Sequence, residues 1–423
     1  MTLPHTPAAV SDEVLTETIA PPARVTPFAP LRYRNFRLLW TGFVVSNTGS
    51  WMQFTALGYL MDQLTSRPIF LGLLGLAQAV PRLLFAFLGG VIADRVDRRM
   101  ILLTTNLITL VSSLVLGLLT YLDLVRVWHL LVLGGFNSFV HSFEMPARQS
   151  MTPSLVDEHL LLQAVSLNSV AFNGAGVLGP AIAGVVISLV GTHGAFFFNS
   201  LSYVGVLWAL LAMRLPAFVA EGGVSFGEDI REGLALLTRH RVVLVLLTVI
   251  AALSFFGRPY IRLMPAVARE VLHVGPRELG ILQAAPGLGT ILAVFAIGWI
   301  AGWMHKGALM LAAAFLMGAM VTLFGFSGSF AGSVALLVGV GLTQSAAMAS
   351  ANTLMQTTVP AGARGRAMGL FGTVAFGMMA LGVLPAGALA SVIGLSWSLA
   401  LGGIVLMAVV LAIVLTGSAV RRL

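Results

Sequence analysis

Four side chains able to hold or pass a charge stand at helical spacing inside an apolar stretch. They are Asn137, His141, Glu144 and Arg148, separated by four, three and four residues. That spacing places them on one stripe of a helix. Two readings fit the stripe. In one, Glu144 is a structural acid that receives Arg95 or Arg98, and Arg148 caps the helix end. In the other, His141 and Glu144 form a proton site, because burial changes how tightly a carboxyl or imidazole holds its proton. Removing one member of a buried pair costs roughly 3–5 kcal/mol, so a dead variant alone does not separate the readings.

Other lone charges stand in apolar runs. Arg82 follows Pro81, and Arg262 lies one turn after Arg258. An unpaired arginine in a lipid core costs from ~2.5 to over 10 kcal/mol, so each must face a cavity or a partner. Either environment fits Arg82 and Arg258: an anionic substrate or an ordinary pairing. Gln78 lies one turn before Arg82, and Asn47, Trp51 and Phe54 share a helix face. Phe255, Phe256 and Tyr260 add aromatic surface. Aromatics with a few amides and arginines suit a medium-sized amphipathic molecule better than a free sugar. There is no cysteine, no metal-spaced cluster of His, Asp or Glu, and no Gly-x-x-x-x-Gly-Lys-Ser/Thr phosphate loop. The sequence therefore points away from a metal site, a cofactor, an ATPase or any enzyme.

The elements that must position these residues are set by composition. Of 423 residues, 58% are hydrophobic and 9% charged, with a mean hydropathy of +0.95. No polar exterior can be built from this chain, so its main solvent is the bilayer. A crossing helix needs about 20 apolar residues. Such runs recur at about 36–60, 69–92, 100–121, 128–148, 166–190, 195–214, 242–264, 278–303, 307–326, 330–351, 367–390 and 396–417. The expected fold class is all-α, a polytopic membrane protein of twelve spans. Residues 1–30 read as a disordered cytoplasmic tail, 31–214 as a first six-helix bundle, and 242–418 as a second. Residues 419–423 form a cytoplasmic tail. The linker 215–241 carries apolar positions at helical spacing, Ile230, Leu234 and Leu237, and reads as an amphipathic helix on the inner surface. Arginine and lysine crowd one set of loops, which places both termini in the cytoplasm of a multi-pass inner-membrane protein. The net charge of +8 belongs to that bias rather than to nucleic-acid binding.

GGVIADRVDRRMIL, residues 89–102, breaks the apolar pattern with Asp94, Arg95, Asp97, Arg98 and Arg99. The basic residues suit a short cytoplasmic turn. Asp94 works against the positive bias and asks for a separate reason. Gly90 lies one turn earlier on the same face, where a glycine lets another helix approach. The two halves of the chain also echo each other. Gly90-Val-Ile-Ala-Asp94 matches Gly298-Trp-Ile-Ala-Gly302, and Gln149-Ser-Met-Thr-Pro153 matches Gln356-Thr-Thr-Val-Pro360. Gly176-Val-Leu-Gly-Pro180 matches Gly382-Val-Leu-Pro385. Three matches in order at nearly one offset indicate a duplicated six-helix unit around a central site. The second copy lacks the charges, which makes the gate lopsided.

On these residues the chain resembles the major facilitator superfamily. Gly90, Asp94, Arg95, Arg98 and Arg99 match that family's loop 2–3 motif, with Asp97 in place of its usual glycine. GAGVLGPAIAG, residues 174–184, resembles the Gly-Pro motif of exporters through Gly174, Gly176, Gly179, Pro180 and Gly184. MPARQSMTPSLV and RGRAMGL resemble the branch containing the enterobactin exporter and macrolide-efflux-like proteins. The resemblance implies alternating access and proton-driven export of a small amphipathic molecule, such as a siderophore, a macrolide or another drug, by a monomer. Uptake by the same fold, or a non-transporting sensor or assembly partner, are the alternatives. It also implies that Asp94 faces the start of span 11, with Glu144 and Arg148 as gate partners. A carboxylate at a helix N-terminus gains about 0.3–1 kcal/mol, up to ~2 if partly buried. The glycines and Pro180 of span 5 are expected to kink and thin that helix for close packing.

Overall fold

A computed structural model describes residues 26–213, 241–300, 304–360 and 363–416, without the side chains of residues 86, 87, 94, 241 and 300. Among the described residues all regular structure is helical. The first six helices are α1 (Arg34–Thr65), α2 (Pro68–Arg95), α3 (Arg98–Tyr121), α4 (Val127–Met151), α5 (Leu161–Val190) and α6 (Thr192–Ala212). After the linker come α7 (Arg241–Gly257), α8 (Tyr260–Glu270), α9 (Pro276–Ile300), α10 (Lys306–Gly325), α11 (Phe330–Thr358), α12 (Arg364–Ile393) and α13 (Leu395–Leu415). In lipid every backbone polar group must be satisfied within its own segment, so apolar runs of this length become helices.

Among the described residues ten segments are long and apolar enough to cross a membrane, and one of these joins α7 and α8 into a single seventh crossing. Helices α1 and α4 have ample length, 32 and 25 residues, but are more polar. They are the two that carry Asn47, Asp62, Asn137, His141 and Glu144. Helices extend past the predicted apolar runs by a few residues at most ends, because their last turns project into the polar boundary. The seventh crossing differs in kind. The apolar run 242–264 reads as one rod, yet the helix ends at Gly257 and restarts at Tyr260. Pro259 has no N–H for the ladder and disfavours helix in the residue before it, so Arg258 sits at a break.

The packing repeats. In the first half α2 lies against α4, α3 against α4 and α6, and α1 against α5 and α6. In the second half α9 lies against α11, α10 against α11 and α13, and α7 against α12 and α13. These are the same five neighbour relations under the duplication. Two long seams join the halves, α2 with α12 and α5 with α9, and the pseudo-symmetry exchanges them.

Both halves combine two kinds of contact, of which the tightest examples follow. In the first, Ser113 Oγ and Asn199 Nδ2 both donate to Gln53 Oε1, at 2.7 and 2.6 Å, tying α3 and α6 to α1. In the second, bare backbone meets backbone. A Cβ on Gly341 would lie 1.9 Å from the Pro286 carbonyl oxygen, and one on Gly289 2.0 Å from that of Val338. Without a hydrophobic force between helices in lipid, buried amides and small residues are the two available adhesives.

Ordered chain begins earlier than residue 31. Ala29–Arg32 forms a 3-10 turn with Ala29 and Pro30 buried, because Ala29 packs into a cluster with Phe36, Leu39 and Leu155. The tail before residue 26, the amphipathic helix expected in the linker, and residues 419–423 lie outside the described residues.

Candidate functional site

The α4 stripe carries a compact charge cluster. His141 Nδ1 stands 2.7 Å from Glu144 Oε2, and Arg148 donates to Glu144 Oε1 at 3.0 Å. The Glu144 side chain is 5% exposed and that of His141 27%, so a sequestered acid is joined to a partly open histidine. Arg148 is steadied over the Phe43 ring of α1, 4.0 Å from its centroid. Glu144 is thus engaged within its own helix and does not receive Arg95 or Arg98. Partners three and four residues away sit directly beside it, whereas Arg98 reaches α4 nearly two turns lower, donating to the Ser150 carbonyl at 2.9 Å. Asn137, expected along the pathway, turns into the α3–α4 seam instead. It is 6% exposed, and its Oδ1 accepts from Ser112.

A second group lies between the halves. Gln78 and Arg82 are successive on α2, and Arg82 is about 20 Å from either end of that helix at 1.5 Å per residue. Arg262 of α8 donates to Gln78 Oε1 and lies over the Phe54 ring of α1, 4.1 Å from its centroid. Such a cation–π contact is worth ~0.5–2 kcal/mol according to how dry it is. Arg82 is exposed and within Coulombic reach of Glu144 and of Arg262. Arg258, at the helix break, keeps a buried Nε without a partner. Asn47 donates to the Phe172 carbonyl of α5 at 3.4 Å. Beside Arg262 a small, mainly apolar cavity is lined by Trp51, Phe54, Tyr260, Ile261, Met264 and Gln283.

The loop after α2 packs within the first half. Asp97 accepts from the Arg99 backbone N–H and starts α3, and Arg99 donates to the Leu211 carbonyl at 3.1 Å. Arg95 is exposed, and the Asp94 side chain lies outside the described residues. Gly90 was expected to admit a neighbouring helix, but among the described residues nothing comes within 4 Å of a Cβ there. The close approach occurs one residue earlier, where a Cβ on Gly89 would lie 2.0 Å from the Ser142 carbonyl oxygen of α4. Nearby, Tyr33 donates to Asp157, and that bond raises the phenol above its usual range.

The span 5 glycines divide by role. Helix α5 continues through Pro180. Gly176 and Gly179 receive Trp51 of α1, and Gly184 receives the backbone of α9 at Pro276. Gly174 meets open space, so close packing does not require it.

Every described hydrogen bond between the halves lies at the molecule's midlevel or toward the end where α1 finishes and α9 begins. Arg269 binds Asp62 through two nitrogens, Nε to Oδ2 at 2.6 Å and NH2 to Oδ1 at 3.0 Å. Thr55 donates to Gln283, Arg277 Nε to Ser188 Oγ at 2.8 Å, and the Ile69 N–H to Ser391 Oγ at 3.1 Å. At the other end, Gly365, Gly369 and Gly372 of α12 meet nothing within 4 Å, like Gly90. Among the described residues, the hydrogen bonds that join the halves thus gather at one face and at mid-depth. Sequence reasoning missed Asp62, Arg269 and Gln283. Asp62 carried a usable signal, being an acid at the end of an otherwise apolar run, but its partner lies 207 positions away.

Two pseudo-symmetric helical bundles with charged groups near their seam are the architecture of a multi-pass membrane transporter. The chain belongs to the transmembrane secretion effector family of the major facilitator superfamily, whose profile matches residues 25–421. It is similar to macrolide efflux protein A of Streptococcus pyogenes, 24% identical over 397 residues, covering 89% of this chain and 95% of that protein. It is also similar to the multidrug efflux pump Tap of Mycolicibacterium fortuitum, 25% identical over 360 residues, covering 83% and 88%. Among solved structures, a bacterial homologue of the human lysosomal transporter Spinster, inward-facing and unoccupied, superposes with a TM-score of 0.71 at 15% identity. The match covers 92% of this chain and 98% of that one. The protein is therefore a multi-pass transporter of small molecules, and its relatives are transporters rather than enzymes.

Proposed function

We propose that this chain exports a small amphipathic molecule, such as a macrolide, a siderophore or another drug, across the cytoplasmic membrane in exchange for protons. The face bearing Arg34, Arg37, Arg95, Arg98, Arg99, Arg148 and Arg364 is then cytoplasmic, by the positive-inside bias. The described conformation is open toward that side and acts as a monomer. One observation carries the reading: a His–Glu–Arg cluster of the first bundle, partly accessible at His141, lies in a protein whose described hydrogen bonds between bundles gather at mid-depth and the opposite face. Protonation of Glu144 removes the charge that Arg148 pairs with. Arg148 is then free to exchange partners as the halves rock.

The test is transport of erythromycin, ethidium and the anion 2-naphthoate in everted membrane vesicles, with the proton gradient intact or collapsed. Gradient-dependent uptake into everted vesicles supports export. Movement in the reverse sense supports an uptake permease, and no movement of any compound supports a non-transporting role.

Glu144→Gln should abolish gradient-driven accumulation while preserving gradient-independent exchange of substrate. Because breaking a buried pair costs roughly 3–5 kcal/mol, membrane abundance must be measured alongside. Equal pH dependence in the variant and the parent would remove Glu144 from the proton path.

Asp94 is assigned a second role. When the cytoplasmic face closes, we place its carboxylate against the N-terminus of α12, with Gly90 allowing the approach and Arg95, Arg98 and Arg99 holding the loop at the membrane boundary. Glu144 and Arg148 brace the neighbouring end of α4. The gain is about 0.3–1 kcal/mol, up to ~2 if partly buried. Asp94→Asn should insert normally and transport poorly. Undiminished export at parental abundance would count against the latch.

A further inference from the structure

The central arginines are out of balance with the acids around them. Glu144 and Asp62 are the two acidic residues buried among the described residues. Glu144 is already engaged by His141 and Arg148, and Asp62 by Arg269. None of the described ion pairs includes Arg82, Arg258 or Arg262. Arg82 makes no described hydrogen bond, although it sits at mid-helix and is exposed. Arg262 binds a neutral amide and an aromatic face. Close by, the hydroxyl of Tyr260, in a side chain 1% exposed, is also without a partner. Cations without counter-charges at membrane depth are expensive, and they mark places where a charge is supplied from outside the chain.

Their placement gives the missing charge a mechanical meaning. Arg82 belongs to the first half and Arg262 to the second, and each lies within Coulombic reach of the other. In a medium of low dielectric two such cations push the halves apart. An anion between them turns the repulsion into a bridge. The neighbouring cavity, with Trp51, Phe54, Ile261 and Met264, offers a flat apolar surface beside the charge.

We propose that the cavity selects anionic ligands, an aromatic or amphipathic body bearing a carboxylate or similar anion, and that Arg82 and Arg262 hold this anion from opposite halves. The proposal rests on the transporter reading above and narrows its substrate class. Amphipathic cations are disfavoured at this site by the same two charges. The bound anion screens Arg82 from Arg262 and makes the approach of the halves around it favourable, which ties occupancy to closure. Tyr260 and Gln78 stand nearby as further polar groups for the ligand's uncharged atoms.

The test uses the full chain purified in an uncharged maltoside detergent. Three probes share one ring system and differ in charge: 2-naphthoate, 2-naphthamide and 2-naphthylmethylammonium, at matched ionic strength in chloride. Binding is read by the rise in melting temperature with probe concentration, since a ligand that binds the folded state stabilises it by mass action. Naphthoate should bind at least about tenfold more tightly than the other two, the equivalent of one cross-seam charge interaction. Arg82→Gln should erase that preference, and its melting temperature without probe should hold or rise, because an unpaired cation is removed. Arg262→Gln should erase the preference too, with some loss of stability from its lost contacts to Gln78 and Phe54. The proposal is overturned if the ammonium probe binds as tightly as naphthoate, or if the naphthoate preference survives in Arg82→Gln. A phosphatidylglycerol arm separates a lipid headgroup from a small solute. If that lipid competes with naphthoate only in the parent, both occupy the arginine pair, as proposed. If it displaces naphthoate equally from Arg82→Gln, the anion site lies elsewhere and the proposal fails. Vesicle export without naphthoate preference would remove the anion site and leave the transport reading standing. Naphthoate preference without vesicle transport would do the reverse.

Discussion

Gly184→Val abolishes closure of the clamped face while the protein still reaches the membrane. A Cβ at this position would meet the Pro276 carbonyl oxygen at 2.5 Å and the Gly280 Cα at 3.1 Å. The reciprocal position is as tight, for a Cβ on Gly280 would lie 2.5 Å from the Pro180 carbonyl oxygen. Both obstacles are backbone, so no side chain can swing aside. The collision falls on the seam between α5 and α9, which belong to different halves, and the halves can relieve it by parting. Overpacking costs ~1–3 kcal/mol and more where backbone cannot yield. At 1.4 kcal/mol per tenfold, that shifts a balance between two conformations by one to two orders of magnitude, roughly.

The measurement follows from the lack of cysteine. Spin labels on cysteines introduced at Asp123 and Gly328, in exposed loops of the two halves, report the width of the clamped face. Gly184→Val should lengthen that distance and suppress transport. Gly341→Val is the contrast. Its Cβ would lie 1.9 Å from the Pro286 carbonyl oxygen, between α9 and α11 of a single half. No rigid-body motion relieves that clash, and the protein should be lost from the membrane. An unchanged label distance together with normal transport in Gly184→Val would refute the seam as the moving interface.

The second large effect belongs to Asp62. Its carboxylate is 3% exposed and receives Arg269 through both oxygens across the seam between α1 and α8. A bidentate pair of this kind is strong and directional. Asp62→Asn removes the charge and leaves Arg269 with Glu270, which it contacts at 2.7 Å. Arg269 is 39% exposed, so solvent recovers part of the loss. With that discount the cost is about 2 kcal/mol or slightly more, below the full figure for a buried pair. That is roughly a thirtyfold shift away from the described conformation. The same labels at 123 and 328 should report it, and exchanging the two charges, Asp62→Arg with Arg269→Asp, should restore much of the closed population. If the exchanged pair behaves like the single variant, the bridge is not what clamps this face. High salt should weaken the bridge little, because the acid is buried.

Much of this architecture was readable from the sequence because the bilayer permits so few solutions. An apolar run of some twenty residues in lipid must become a helix, so hydropathy placed the long helices of the described residues within several residues of their ends. The duplication showed in three short echoes, and the packing repeats it. The spacing of His141, Glu144 and Arg148 also brought them together, since neighbours on one helix are set by its pitch alone. The break at Arg258 was written in the Gly-Arg-Pro order of residues 257–259, but hydropathy runs straight through it and hides it.

Relations between helices were another matter. Asp62 and Arg269, Gln78 and Arg262, and Gly184 and Gly280 are partners only because two bundles meet in one orientation. In lipid no apolar face is drawn more to one neighbour than to another, so composition cannot select those partners; backbone proximity, paired charges and shared amides do. By itself the sequence determined that this is an all-helical, multi-pass membrane protein of the facilitator type with lone charges on its second, fourth and seventh apolar runs. Only the tertiary structure decided where the described bonds between the halves gather, that Gly89 rather than Gly90 is the tight glycine here, and that Arg262 of the second half binds Gln78 of the first, one turn before Arg82. Helix pitch is a local property and seam contact is not.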